Sequence, residues 1–266
     1  MRKFFTAFVL FCAVAIFQVQ AQSNDQRTLN TKIADLLARM PAPDAKKSSM
    51  DMQEMAEWRA EGLEDMCAML EPAGKGDNTA LQYALSAFAH YVSRPGNGEL
   101  KEWAVTGFGE SLNKTADKEN KAFIIRQLQT IGHGAAINYL SPYLTDERLC
   151  DPAARALVKI NTPAARKALL DALQTATGNN QLTLVEAMGD CRSNEAVGAI
   201  ATLANSGDKK LVKLSLYALA RIADPASESL LASTAQKSGF VYDETGAVQA
   251  YLDYAAQLNA SGESAL

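Results

Sequence analysis

Two histidines, His90 and His133, are the only imidazoles available to this 266-residue chain. His90 stands in the apolar run Phe88-Ala-His-Tyr91 and reads as a packed helix residue; His133 stands between Gly132 and Gly134, in a turn. Neither has a partner at metal-ligand spacing, and no serine or cysteine nearby completes a triad. Beyond Cys12, the cysteines are Cys67, Cys150 and Cys191. Widely spaced and without a CxxC, they form neither a disulfide framework nor a zinc site. They read as small buried apolar residues, with a single Cys150–Cys191 bridge left open. Carboxylates fall at helix starts (Asp151, Asp208, Asp224) or along solvated faces (Glu54, Glu57, Glu61, Glu64). Asp77-Asn78 and Asn179-Asn180 lack the spaced ligands of a calcium loop. Gly107-Phe-Gly109 and Gly132-His-Gly134 follow no strand, so neither is a dinucleotide fingerprint. The reading is therefore of a non-enzyme, with no catalytic residue, cofactor or metal assigned.

Residue types suited to contact rather than catalysis are easier to find. Tyr139 and Tyr143 lie one turn apart beside the apolar stripe Ile137, Leu140 and Leu144. An apolar ring with a polar tip suits a recognition surface, and suits the seam between packed helices equally. Asn138, Lys167 and Asp171 project away from the core stripes. Together these five, Asn138, Tyr139, Tyr143, Lys167 and Asp171, are the candidate binding residues. Met50, Met52, Met55, Met66 and Met69 cluster around Trp58. Positions 52, 55, 66 and 69, with Leu63 and Leu70, have the spacing of a core stripe; an adaptable Met-rich binding face is the alternative.

The elements that must carry these residues are helices. Leu211, Val212, Ser215, Ala218, Leu219 and Ile222 make one broad apolar stripe, and no stretch alternates over strand length. Asp151-Pro152, Thr162-Pro163 and Asp224-Pro225 each place a capping side chain before a proline whose missing N–H costs nothing there. Asn179, Ser193 and Asp208 look like further starts, and Gly132, Gly178, Gly207 and Gly239 like terminators. Expected pairs are 117–131 with 134–144, 152–160 with 163–176, 180–189 with 194–205, and 209–222 with 226–237. Single helices are expected at 26–39, 51–70, 78–93, 99–113 and 244–259, with a polar connector over 41–49. Short loops between such helices make them antiparallel neighbours.

The helices repeat. Leu128…Ile131-Gly132, Leu157…Ile160-Asn161, Val185…Met188-Gly189 and Leu219…Ile222-Ala223 share one frame, with steps of 29, 28 and 34 residues between Ile131, Ile160, Met188 and Ile222. Ala136-Ile137-x-x-Leu140-x-x-x-Leu144 matches Ala165-Arg166-x-x-Leu169-x-x-x-Leu173, and Ala196-Val197-x-x-Ile200 continues it. Residues 151–173, from Asp151-Pro-Ala-Ala-Arg-Ala-Leu to Ala172-Leu173, follow the pattern of short HEAT-like repeats almost unbroken. The chain resembles the HEAT family clearly over 117–237, weakly over 77–113 and not over 22–76. The resemblance implies an all-α fold, an α-α superhelix of antiparallel helix pairs forming a right-handed solenoid. It also implies first helices on the convex side, second helices on the concave side, and a protein or peptide partner on the concave face. Leu157 and Ile160 are expected at the centre of the array, buried on both sides.

Arg2-Lys3, an apolar run over Phe4–Phe17 and Val19-Gln20-Ala21 read as a signal peptide, residues 1–21. The run is too short to span a bilayer, and no membrane insertion is expected after cleavage. Localisation is then exported: periplasm or cell exterior of a bacterium. Residues 22–76 are expected as an N-terminal helical cap, 77–239 as the repeat array, and 240–266 as a terminal helix and tail. Losing Arg2 and Lys3 takes the net charge from −4 to −6. With no basic run, that balance argues against nucleic acid and against an anionic membrane as partner. Two readings follow: an exported scaffold for a protein or peptide, or the N-terminal repeat region of a larger secreted sugar-processing enzyme with a fused C-terminal domain. A HEAT-like lyase or hydroxylase is disfavoured by the export signal and the missing metal triad.

Overall fold

The computed structural model describes Asp25 and residues 27–261, so the expected signal segment 1–21 lies outside the described residues. Fourteen α-helices and no strand make up what is described. They are α1 (Leu29–Leu37), α2 (Ala45–Glu57), α3 (Arg59–Ala68), α4 (Thr79–Ser93), α5 (Gly98–Lys114), α6 (Lys118–Ile131) and α7 (Ile137–Leu140). Then follow α8 (Cys150–Ile160), α9 (Pro163–Leu173), α10 (Gly178–Asp190), α11 (Val197–Leu203), α12 (Lys209–Ile222), α13 (Glu228–Lys237) and α14 (Ala247–Ser261).

The helices stand in two rows. Each even helix from α2 to α14 packs on the next even one, and α1, α3, α5, α7 and α9 form the second row alongside. Consecutive helices bridge the rows, which makes the chain an α-α superhelix of stacked pairs. Residues before 77 join the same rows: α2 packs on α4, and α3 on α5. Glycine sets the closest approaches. A Cβ on Gly107 would stand 3.2 Å from the Ala60 backbone, and one on Gly189 would stand 2.7 Å from Ala218 Cα. The first Gly-x-Gly pattern is therefore a packing device, drawing α5 against α3.

The repeated positions are the buried ones. Ala136, Leu140, Leu144, Ala165, Leu169, Leu173, Ala196 and Ile200 all lie in the core, as do Leu128, Leu157, Val185 and Leu219. At about 1.5–3 kcal/mol for each fully buried large aliphatic side chain, these stripes supply the main drive for stacking. Ile131, Met188 and Ile222 are buried, but Ile160 on the same frame is half-buried, against the expectation that it matches Leu157.

Several boundaries differ from those expected, each for a local reason. The helix expected over 51–70 is two, because Arg59 takes φ +53° and turns the chain at Trp58. The polar connector is shorter than 41–49, since Asp44 accepts from Lys47 N (2.8 Å) and starts α2 at Ala45. Asp151 is not a cap. Helix α8 begins at Cys150, Asp146 accepts from Arg148 N and Leu149 N (2.8 and 3.0 Å), and Asp151 instead bonds Arg155. Ser193 donates its hydroxyl to Glu195 and accepts from no first-turn backbone N–H, and Asn179 lies inside α10. The segment 134–144 is an α-turn flanked by 3-10 turns, Pro142 lacking the N–H that would continue the ladder. Thr162, Asp208 and Asp224 do cap their helices. Gly132 ends α6 with φ +63°, and Asn161 and Ala223 end α8 and α12 in the same left-handed conformation. Gly178 also has positive φ but opens α10, and Gly207 does not adopt it.

Candidate recognition surface

The five candidate residues divide between seam and surface. Tyr139 lies across Gly109, where a Cβ would stand 2.4 Å from its ring, and its hydroxyl donates to Glu110 Oε1 at 3.0 Å. Burial, then that carboxylate, push its phenol pKa up. Tyr143 donates to Leu112 O (3.3 Å) and receives the Lys121 ammonium at 2.9 Å, the same cation standing 4.8 Å from its ring centroid. Both rings are half-buried; Tyr139 ties α7 to α5, and Tyr143 ties the 3-10 turn after α7 to α5 and α6. Asn138 is exposed on the same short helix, apart from both seam contacts.

Lys167 and Asp171 are exposed on α9 and bond each other across one turn, at 2.7 and 2.9 Å. They border a groove of ≈ 280 Å³ that also involves Arg166, Leu170, Ser193 and Glu195. Arg166 is held from behind by Asn161, whose carbonyl and side-chain oxygens both accept at 3.1 Å. Its own backbone N–H and the Ser193 hydroxyl hold the Glu195 carboxyl below the usual carboxylate range. Leucine in the floor and both charges on the rim suit a polypeptide segment better than a compact anion or cation. Leu170 was legible three residues on from Lys167, and Arg166 four residues before Leu170. Ser193 and Glu195 were not, because only the stacking of the next pair brings them alongside α9.

No protein-family model matches the chain, and no curated protein matches it. Among solved structures it is similar to an engineered protein, at 23% identity and a TM-score of 0.42 over 73% of this chain and 96% of that one. It is also similar to a chain from a study of a phosphorylation switch in the interaction between cadherin and beta-catenin, at 14% identity and a TM-score of 0.41. That match covers 89% of this chain and 59% of the other.

The even row carries a second groove, ≈ 300 Å³, which the sequence reading did not single out. Part of its charge is engaged within the protein: Arg155 bonds Asp151 at 2.9 Å, and Asp190 holds Arg221 at 3.2 Å. His133, by contrast, has a local task, Nδ1 accepting from Ala135 N at 3.3 Å to start the turn before α7. The Met cluster is split: Met52, Met55 and Met66 are buried with Leu63, whereas Met69, expected in that stripe, is 47% exposed. Cys67, Cys150 and Cys191 are buried and free, so the open Cys150–Cys191 bridge is not formed. Among the described residues no group of three or more His, Cys, Asp or Glu side chains is arranged to hold a metal ion. No helix there is long and apolar enough to cross a membrane.

Proposed function

We propose that this chain is an exported HEAT-type scaffold that binds a protein or peptide along its odd-numbered, second-helix row. The observation that carries the reading is the groove at α9, where a leucine floor lies between Lys167 and Asp171, bonded to each other, and the Arg166 and Glu195 charges. An extended peptide offers alternating apolar and charged side chains that match such a strip, and neighbouring pairs lengthen it. Contacts spread over several pairs give modest losses for single changes. Exchanging the charges with Lys167→Glu and Asp171→Lys keeps an internal ion pair but inverts the field met by a ligand.

The test is a photo-crosslinking residue introduced at 167 in the otherwise intact chain, with a control at exposed Lys213 on α12. An adduct of defined mass at 167, absent at 213 and reduced at least several-fold by the charge exchange at 171, is expected. Equal labelling at both positions overturns the assignment of the second-helix row.

A further inference from the structure

Helix α1 is joined to the array differently from the helices that follow it. It packs on α3 and α4 and encloses only two of its side chains, Ile33 and Leu36, where α4 encloses six. The chain leaves it through residues 38–44, in which Pro41 and Pro43 have no N–H to tie the backbone to a neighbour. The rest of the attachment is ionic, and it converges on α2. Arg39, just past α1, donates through Nη2 to Glu54 Oε2 at 2.6 Å and through Nε to Asp51 Oδ1 at 3.2 Å. Arg27, just before α1, reaches the other oxygen, Glu54 Oε1, at 3.6 Å. One carboxylate therefore holds both ends of α1. Around it, Arg27 also bonds Asp25 and Asp35, Lys32 lies 3.4 Å from Asp25, and Lys47 on α2 stands 3.5 Å from Asp51 Oδ1.

Two features make this attachment easy to open. Apart from Asp51, every charge in it is partly exposed, and such pairs are weak and screened by salt. Asp51 itself is 1% exposed, and its Oδ2 is buried without a hydrogen-bond partner among the described residues. A guanidinium fork serves both oxygens of one carboxylate best, but Arg39 is divided between Asp51 and Glu54. A buried oxygen left without a donor is costly, and that cost is relieved when water reaches it. Opening of α1 is therefore opposed chiefly by Ile33 and Leu36.

We infer that α1 is a strap, which swings away about residues 38–44 as a unit while the array stays folded, and that Glu54 is the clasp that keeps it shut. Opening uncovers the apolar ground beneath Ile33 and Leu36 on α3 and α4, and because the clasp is ionic its closure depends on salt. The inference does not rest on the reading of the α9 groove. Hydrogen exchange of the full chain, resolved into peptides by mass spectrometry, tests it. Amides of α1 should exchange at least about tenfold faster than those of α4, at a rate that barely changes in low urea, the mark of a local opening that exposes little surface. Raising potassium chloride from about 0.05 M to about 0.5 M should speed α1 at least about threefold. Glu54→Gln should do the same at low salt, with α4–α6 unchanged, which also shows that the variant has folded. Asp171→Asn, which removes an exposed pair elsewhere, should leave α1 as it was. Exchange of α1 in step with α4 across the urea series overturns the strap. So does an α1 indifferent to Glu54→Gln, or one accelerated equally by Asp171→Asn.

Discussion

Leu157 and Ile160 occupy consecutive apolar positions on α8, yet only Leu157 is enclosed, by α6 and α10 on either side. Leu157→Ala should therefore cost about 2–5 kcal/mol, because the removed atoms leave a cavity that packed neighbours refill only in part. Ile160→Ala, at a half-buried place near the helix end, should cost clearly less, and chemical denaturation of the two variants ranks them. A larger loss at Ile160 would mean that the register of α8 is misjudged. The thiols offer a second check at this scale. Burial pushes Cys67 up to about 12 and both Cys150 and Cys191 up to about 11, so the reactive thiolate is scarce at neutral pH. In the chain from residue 22 onward, all three should label slowly at pH 8 while folded and at once in denaturant. Fast native labelling at any of them would contradict its burial. The periodic stripe made these side chains legible as core. Their degree of enclosure was not, since it depends on which neighbour closes over each one.

Helix ends show what local chemistry decides. Thr162, Asp208 and Asp224 cap as their types and positions lead one to expect, each accepting from the first-turn backbone. Asp146 is the instructive exception, for it stands four residues before Cys150 and serves α8 in place of Asp151. Lys118 on α6 bonds it at 2.9 Å, and that contact, foremost, holds its carboxyl below the usual range. Asp146→Ala should cost about 0.5–2 kcal/mol, the usual range for a lost cap. The sign with pH follows from the depressed pKa. The charge-dependent part of the stabilisation is present above the unfolded-state pKa and fades as pH falls through the folded one. The gap between wild type and variant, measured by denaturation at pH 7 and pH 2, should therefore narrow at pH 2. A constant gap would assign the effect to packing alone.

For the whole molecule the row arrangement makes coupling nearly one-dimensional, each helix touching its neighbours and little beyond. Helix α14 continues the even row, with Ala247, Ala250 and Tyr254 buried against α12 and α13. A chain ending at Gly246 should show faster amide hydrogen exchange in α12 and α13 and unchanged exchange in α1–α5. Uniform acceleration throughout would indicate a single cooperative core instead of a stack. Helix period, repeated stripes and half of the expected N-caps were determined by the sequence alone, because they rest on interactions within a few residues: 3.6-residue spacing, side chain to nearby N–H, proline without a donor. That was enough to establish an all-α chain of repeated pairs. Tertiary structure alone decided that Tyr139 and Tyr143 are drawn into a seam and that Glu195 comes alongside Lys167. Each of those depends on residues tens of positions apart meeting across a helix interface, where distance and the order in which donors are consumed follow from packing.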